Sequence, residues 1–305
     1  MSNLTSTTLD GLPSVSMVTL LCMATAAIMM VVVPIFAIRY LRKNYKANFR
    51  PLFFGMIFGF MFDMLLYNII MVAWTNFKAI GDNDLFVAIL AAVMSGLVGI
   101  VGRTIVINAV ANSKSMPNSD TFGNAYMTGI GYALINLPYP IILMIAMLVQ
   151  ALMINLFGVS YVADDLGAEG AEMLAELYVL FYETPSYDFL ITGVNQVLLV
   201  VISLSLSVII YAVYKRKVKS FMLLIAAVLS ILCYLPTYFL QYEIWFKTQL
   251  SMIIVTTLFT AWLAALALGI MKMSMKNEIE EIKKTDAKVV HKAFPDFNKN
   301  VKKDF

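Results

Sequence analysis

This chain of 305 residues has few of the side chains that carry enzyme chemistry. It contains one histidine, His291, which lies in a charged C-terminal segment. Its two cysteines, Cys22 and Cys233, fall in separate apolar stretches, and the formal charges within those stretches are Asp63 and Arg103. Zinc sites take three or four ligands from His, Cys, Asp and Glu. The sequence therefore predicts no metal site and no other cofactor.

Charge is scarce and apolar residues are abundant. Charged residues make up 13% of the chain and hydrophobic residues 61%, with a mean hydropathy of +0.82. Such a composition is typical of a membrane protein with several spanning helices, since about 20 apolar residues cross about 30 Å of hydrocarbon. We therefore predict an all-α transmembrane bundle partnered by the lipid bilayer. Its seven candidate spans are 15–38, 52–74, 85–111, 122–159, 189–214, 220–240 and 249–271.

The distribution of basic residues predicts the orientation of these spans. If the N-terminus is outside, the inner segments are 39–50, 112–121, 215–219 and 272–305, and only Lys78, Arg103 and Lys247 of the 22 lysines and arginines lie elsewhere. Cytoplasmic loops carry an excess of Lys and Arg, so the pattern predicts an N-out, C-in protein of the cell membrane. Nucleic-acid binding has no support.

The fourth stretch, 122–159, is long and contains Pro138 and Pro140, which interrupt helical hydrogen bonding. It is either one kinked helix or two shorter segments. Two separate passes would move the basic segment 215–219 outside, against the charge bias, so we predict seven crossings.

Two regions outside the spans have recognisable character. Acidic and apolar residues fall on opposite faces of the segment at about 164–184, which predicts an amphipathic helix on the outer membrane surface. The bundle is expected to occupy residues 1–271. A cytoplasmic tail of mixed charge is expected to occupy 272–305.

Small residues and charges mark the packing of the spans. Gly55 and Gly59, together with glycines every third residue from Gly96 to Gly102, predict close helix contacts. A charge in hydrocarbon is normally paired or faces a cavity, so Asp63 and Arg103 are interpreted as a structural ion pair. The alternative is a water-accessible cavity in which Asp63 binds a proton, a cation or a basic ligand.

Two sequence runs carry a family resemblance. The run 95–103, SGLVGIVGR, and the run 128–136, TGIGYALIN, resemble the YhfC family of intramembrane metalloproteases, which is distantly related to the glutamate-type prenyl-protein peptidases. The resemblance implies a pair of glutamates before the Gly-Arg of the first run. It also implies a histidine and a glutamate four residues apart in the second, and a bacterial cell membrane as the location.

This chain keeps the glycine pattern of the two runs but lacks the glutamate and histidine side chains that the resemblance implies. Gly99 and Ile100 stand in the glutamate positions, and Tyr132 and Asn136 in the histidine and glutamate positions. Looser matches place 193–196 at a Glu-Arg pair, and Ser203 and Ser230 at further histidines. Water activation in a dry site needs a base and an electrophile, which these residues do not provide. The sequence predicts no catalytic residue and no enzyme activity, so we expect the chain to be a pseudoenzyme.

The substitutions leave a polar pocket, because they are Asn, Ser and Tyr rather than leucine. The simpler interpretation is hydrogen bonding between helices that fixes the bundle. The functional one is a former active site retained as a groove for a transmembrane peptide, a membrane-protein partner, a lipid or another apolar ligand. The candidate lining is Arg103, Tyr132, Asn136 and Asn195.

Three functions follow from this reading. The first is a catalytically inactive intramembrane-protease homologue that binds or scaffolds membrane partners or an apolar ligand. The second is a transporter-like or channel-like component, indicated by the proline-containing fourth stretch and by Asp63. The third, an active protease of unusual chemistry, has less support.

Overall fold

In a computed structural model of the chain, the structure describes residues 14–76, 83–113, 121–158, 181–182, 184–241 and 256–273. Every regular element in these ranges is helical, which confirms the all-α prediction. The elements are α1 (Met17–Tyr45), α2 (Arg50–Gly59), a π-helical segment (Phe60–Leu66), α3 (Tyr67–Thr75), α4 (Asp84–Ala111), α5 (Phe122–Leu134), α6 (Pro138–Phe157), α7 (Ser186–Tyr214), α8 (Met222–Gln241) and α9 (Thr256–Met273).

Seven helical rods in the described residues are long and apolar enough to cross a membrane. They are α1, the continuous rod from α2 through α3, and α4, α6, α7, α8 and α9. Large aliphatic side chains such as Leu21, Ile28 and Ile69 are 59%, 59% and 66% exposed on the outside of the bundle. Apolar surface of this extent is typical of contact with lipid. The chain is a multi-pass membrane protein.

The fourth apolar stretch forms two helices. α5 ends at Leu134, a turn covers residues 135–137, and α6 begins at Pro138. Proline suits the first position of a helix because its missing N–H has no intrahelical partner there. Pro138 therefore begins α6 and does not kink a longer helix.

The two helices together cross the bundle once. The hydroxyls of Thr19 and Ser186 are 2.7 Å apart, so α1 and α7 start at the same end. Asn155, near the end of α6, hydrogen-bonds to the backbone just before α1. Phe122, at the start of α5, packs against Tyr211 near the far end of α7. The stretch thus runs from one end of the bundle to the other.

Helix α5 lies at the centre of the bundle. Each of its residues from Phe122 to Ala133 is buried. Gly131 faces the backbone carbonyl of Leu52 on α2, and Gly55 faces the carbonyl of Thr128, so the two backbones touch where glycine leaves room. This confirms the close packing predicted at Gly55. Gly129 lies in the same way against α7.

Side-chain caps fix where several helices begin. Ser16, Asn83 and Thr121 each accept a hydrogen bond from the backbone N–H three residues ahead, at the starts of α1, α4 and α5. Such caps satisfy donors that the first turn of a helix leaves free. Arg103 and Tyr132 lie on two of these capped helices, α4 and α5.

Some predictions fall outside the described residues. The amphipathic outer segment at about 164–184 falls almost entirely among residues that the structure does not describe, and so does the tail beyond residue 273. The division into a bundle of 1–271 and a tail of 272–305 stays a prediction. The N-out, C-in orientation also stays a prediction.

Candidate functional site

Asp63 lies on the π-helical segment between α2 and α3. There the N–H of Tyr67 bonds to the carbonyl of Phe62, five residues back, where an α-helix would use the fourth. A π-helical turn inserts one residue and is frequent at functional sites. The insertion changes which residues face inward, and here it presents a carboxylate to the middle of the bundle.

Hydrogen-bond donors from other helices hold the Asp63 carboxylate. The Tyr132 hydroxyl of α5 donates to Oδ1 at 2.8 Å, and the Tyr234 hydroxyl of α8 donates to Oδ2 at 3.4 Å. The side chain of Asn136, in the turn after α5, also interacts with this carboxylate. A charge inside a membrane protein is tolerated when such partners replace water.

Arg103 of α4 lies on the other side of Tyr132. Its guanidinium carbon is 4.1 Å from the centroid of the Tyr132 ring, a cation–π geometry. Nη2 donates to Ser203 Oγ at 3.0 Å, and that hydroxyl donates to the carbonyl of Gly129 at 3.0 Å. Nη1 and Nε are buried without a hydrogen-bond partner in the described part of the chain.

Asp63 and Arg103 belong to one cluster without a direct hydrogen bond between them. A Cβ atom added to Gly99 would lie 2.8 Å from Arg103 Nη1, 3.5 Å from Asp63 Oδ1 and 3.9 Å from Ser230 Oγ. The two charges thus approach each other across the position where a side chain on Gly99 would begin. Tyr132 contacts both charges.

A cavity of about 380 Å³ adjoins this cluster. Asp63, Arg103, Ser203 and Ser230 form a polar end. Its walls are mainly apolar and include Leu137 of the turn, Leu143 of α6, and Leu199, Val200 and Leu206 of α7. Pockets of roughly 300–1,000 Å³ with apolar walls and a few converging polar groups are typical ligand sites.

One edge of the cavity lies at the break between α5 and α6. Asn136 is exposed, and Tyr139 and Leu143 are 74% and 44% exposed. All three line the cavity. Because α6 presents its outer residues to lipid, this edge connects the polar end with the bilayer.

Three of the four predicted lining residues come together. Arg103 and Asn136 line the cavity, and Tyr132 connects them with Asp63. Asn195 lies elsewhere: its side chain donates to Thr257 Oγ1 of α9 at 3.1 Å and is not among the cavity residues. Its neighbour Gln196 lines the cavity instead.

Sequence reasoning missed Gln196 and Tyr234. Both were detectable from helical spacing, because Gln196 precedes Ser203 by seven residues and Tyr234 follows Ser230 by four. Residues at these intervals share one helix face. The family resemblance already marks Ser203 and Ser230, so the helix faces that carry these serines also point to Gln196 and Tyr234.

The site's side chains do not fit a metal ion. Of the acidic and thiol groups, Asp63 and Cys233 line the cavity, and both oxygens of Asp63 already accept hydrogen bonds. No cluster of three or more His, Cys, Asp and Glu side chains occurs among residues 14–273 where the structure describes them. The donor set falls short of the three or four ligands that zinc takes, and the nearby guanidinium repels a cation.

These observations define a polytopic membrane protein with a polar cluster and a ligand-sized cavity inside its bundle. A family model described as YhfC intramembrane metalloprotease matches residues 29–275, and the chain belongs to that family. No curated protein and no solved structure matches the chain.

Proposed function

We propose that this chain is a catalytically inactive member of its family that binds a membrane ligand or partner through the cavity. The observation that carries the proposal is a convergence in space. Gly99, Tyr132, Asn136, Ser203 and Ser230, the positions at which the family resemblance implies glutamate or histidine, surround the Asp63–Arg103 cluster. The positions that would carry catalytic side chains in the family instead surround a hydrogen-bonded cluster next to a cavity.

The geometry of Asp63 argues against hydrolysis. A general base must reach a water proton with a free lone pair, and a metal-free hydrolase also needs donors aimed at the developing oxyanion. Tyr132 and Tyr234 each donate to one oxygen of Asp63, so a catalytic water would have to share the carboxylate with two tyrosines. Arg103 Nη2 is bonded to Ser203, which leaves Nη1 as the donor that faces an oxyanion. An active protease with Asp63 as base is therefore the less supported alternative. Cleavage of a transmembrane substrate that is lost in Asp63→Asn would favour it.

The cavity's shape supports binding. Its polar end is deep, its walls are apolar, and its edge lies at the α5–α6 break beside exposed Tyr139. An amphiphilic molecule in the membrane could enter from the side without crossing a polar barrier. The apolar walls and the polar end therefore both suit an amphiphilic ligand that comes from the membrane.

A pair of adjacent substitutions tests the proposal. Leu143 lines the cavity, whereas Ile142 is 66% exposed and is not among the cavity residues. We expect Leu143→Trp to fill the cavity and Ile142→Trp to leave it open. Native mass spectrometry of protein purified from its own membrane in mild detergent should detect a specific companion with the wild type and with Ile142→Trp. That companion should be lost with Leu143→Trp. Identical companions in all three preparations would contradict ligand binding here.

A transport function is the second candidate, favoured by one observation. The helical break at residues 135–137 lies beside the half-buried carboxylate of Asp63, and interrupted helices near the membrane midplane are common at transporter sites. Asp63→Asn should abolish ion-coupled uptake in proteoliposomes if Asp63 is the coupling group. If the variant only lowers the yield of folded protein, Asp63 is structural.

A further inference from the structure

Two polar atoms at the deep end of the cavity lack partners. Arg103 Nη1 and Ser230 Oγ are buried, and neither has a hydrogen-bond partner among the described residues. Both residues line the cavity, and both atoms lie within 4 Å of the position where a Cβ on Gly99 would stand. Buried donors without partners are rare in proteins and require an explanation. The simplest ligand group that satisfies both is an oxygen that accepts two hydrogen bonds.

The charge of the cluster restricts what carries this oxygen. Asp63 Oδ1 is 3.5 Å from the same point beside Gly99. The carboxylate already provides the counter-charge of Arg103, so a second anion there would be repelled by Asp63. A cation would be repelled by Arg103. A neutral acceptor, such as a carbonyl oxygen, is the group that the site accommodates best.

The size and opening of the cavity restrict the rest of the ligand. An α-helix with its side chains is about 10 Å wide, which a cavity of about 380 Å³ does not admit along its length. The volume holds a small headgroup and the first part of one acyl chain. The remainder would leave beside Leu143 and exposed Tyr139 into the bilayer.

From these constraints we infer that the cavity binds a neutral, single-chain acyl lipid of the monoacylglycerol class. Its ester carbonyl accepts from Arg103 Nη1 and Ser230 Oγ, and its glycerol hydroxyls reach the Asn136 and Gln196 amides, which also line the cavity. The acyl chain lies against Leu199. This inference rests on the proposed function and names the ligand of that same site.

A photoactivatable monoacylglycerol tests the inference on the full chain in nanodiscs. The probe carries a diazirine in its acyl chain, and peptide mass spectrometry locates the cross-links. We expect cross-links on the peptide that contains Leu199, with excess 1-oleoylglycerol preventing them and equal amounts of oleate or oleylamine having no effect. Ser230→Ala should weaken competition about fivefold to tenfold, the value of one hydrogen bond.

Ser207→Ala is the matched control. Ser207 is also a buried serine whose hydroxyl has no partner among the described residues, but it does not line the cavity. We expect it to behave like the wild type. Equal effects of the two serine variants, or cross-links confined to outward-facing residues such as Ile142, would overturn the inference.

The remaining outcomes separate the two proposals. Competition by oleate or oleylamine in place of 1-oleoylglycerol would overturn the lipid class and leave a ligand-binding cavity. If no probe reaches the cavity and Leu143→Trp loses no companion, the lipid inference and the proposed function fail together.

Discussion

The hydroxyl of Tyr132 donates to Asp63 at 2.8 Å while the ring of the same tyrosine lies 4.1 Å below the guanidinium of Arg103. One side chain thus donates a hydrogen bond to a carboxylate through its hydroxyl and makes a cation–π contact through the face of its ring. It does so at the position where the family resemblance implies a histidine. The contact joins α5 to the π-helical segment and explains how two intramembrane charges are held without a direct hydrogen bond.

Tyr132→Phe should lower stability, because it removes a donor from the half-buried Asp63 carboxylate and keeps the ring. Tyr234 and Asn136 still interact with Asp63, so we expect a loss of about 1 kcal/mol in the free energy of unfolding. Unfolding in mixed detergent micelles measures it. Tyr139→Phe is the control, since Tyr139 is 74% exposed. Equal losses in the two variants would show that the Tyr132 hydroxyl does not stabilise the bundle.

The predicted ion pair of Asp63 and Arg103 can be tested with a double-mutant cycle. Removing one member of a buried pair leaves an uncompensated charge, with typical costs of about 3–5 kcal/mol. We expect Asp63→Asn and Arg103→Gln each to destabilise the protein, and the double variant to lose much less than both losses combined. Additive losses would mean that the two charges are stabilised independently by Tyr132, Tyr234 and Ser203.

Much of this fold follows from the sequence because hydrocarbon imposes a simple rule. Spans of about 20 apolar residues must be helical, and basic segments indicate their connections. Six of the seven predicted stretches therefore correspond to single helical rods. The division of the fourth stretch into α5 and α6 was left open, since proline ends a helix as readily as it kinks one. Position 138 suits a helix start because the first turn of a helix needs no N–H from its first residue.

The sequence predicts those residues of the candidate site that regular helical spacing brings together. It does not predict those whose position depends on an irregular backbone. Tyr132 and Asn136 reach the same carboxylate, as residues four apart should. The π-helical segment changes the direction in which the residues after Phe60 face, compared with a regular α-helix. No residue pattern in the sequence predicts this segment. The prediction of Asn195 rests on a loose match to the family pattern. One residue of helix, about 100°, separates its face from that of Gln196.

Gly131→Ala should prevent normal folding, because an added Cβ would meet the carbonyl of Leu52 where α5 and α2 touch. Backbone atoms cannot rotate away as a side chain can, so we expect a loss of about 3 kcal/mol or more. Gly269→Ala is the matched control, since a Cβ there has nothing within 4 Å. Size-exclusion chromatography of fluorescent fusions measures the folded fraction. Normal folding of Gly131→Ala would contradict the close approach of the two helices.

Chelators should leave the stability of the protein unchanged. Asp63 and Cys233 do not complete a zinc site, and Arg103 adds a positive charge. A zinc ion at a thousand times its Kd would stabilise the fold by about 4 kcal/mol, so its removal would be visible in the unfolding midpoint. We expect no shift after dialysis against phenanthroline and substoichiometric zinc by elemental analysis. Stoichiometric zinc that disappears in Asp63→Asn would contradict this expectation.

The orientation of the bundle is tested by reporters at its two ends. Lys219 lies in the connection between α7 and α8, and Gly158 follows the end of α6, at the opposite end of the bundle. We expect a reporter fused after Lys219 to be cytoplasmic, because the surrounding basic residues resist export, and one fused after Gly158 to be outside. Reversed signals would make the N-out, C-in prediction wrong and keep the seven crossings. Signals on the same side would contradict the single crossing of α5 and α6, on which the position of the cavity within the membrane depends.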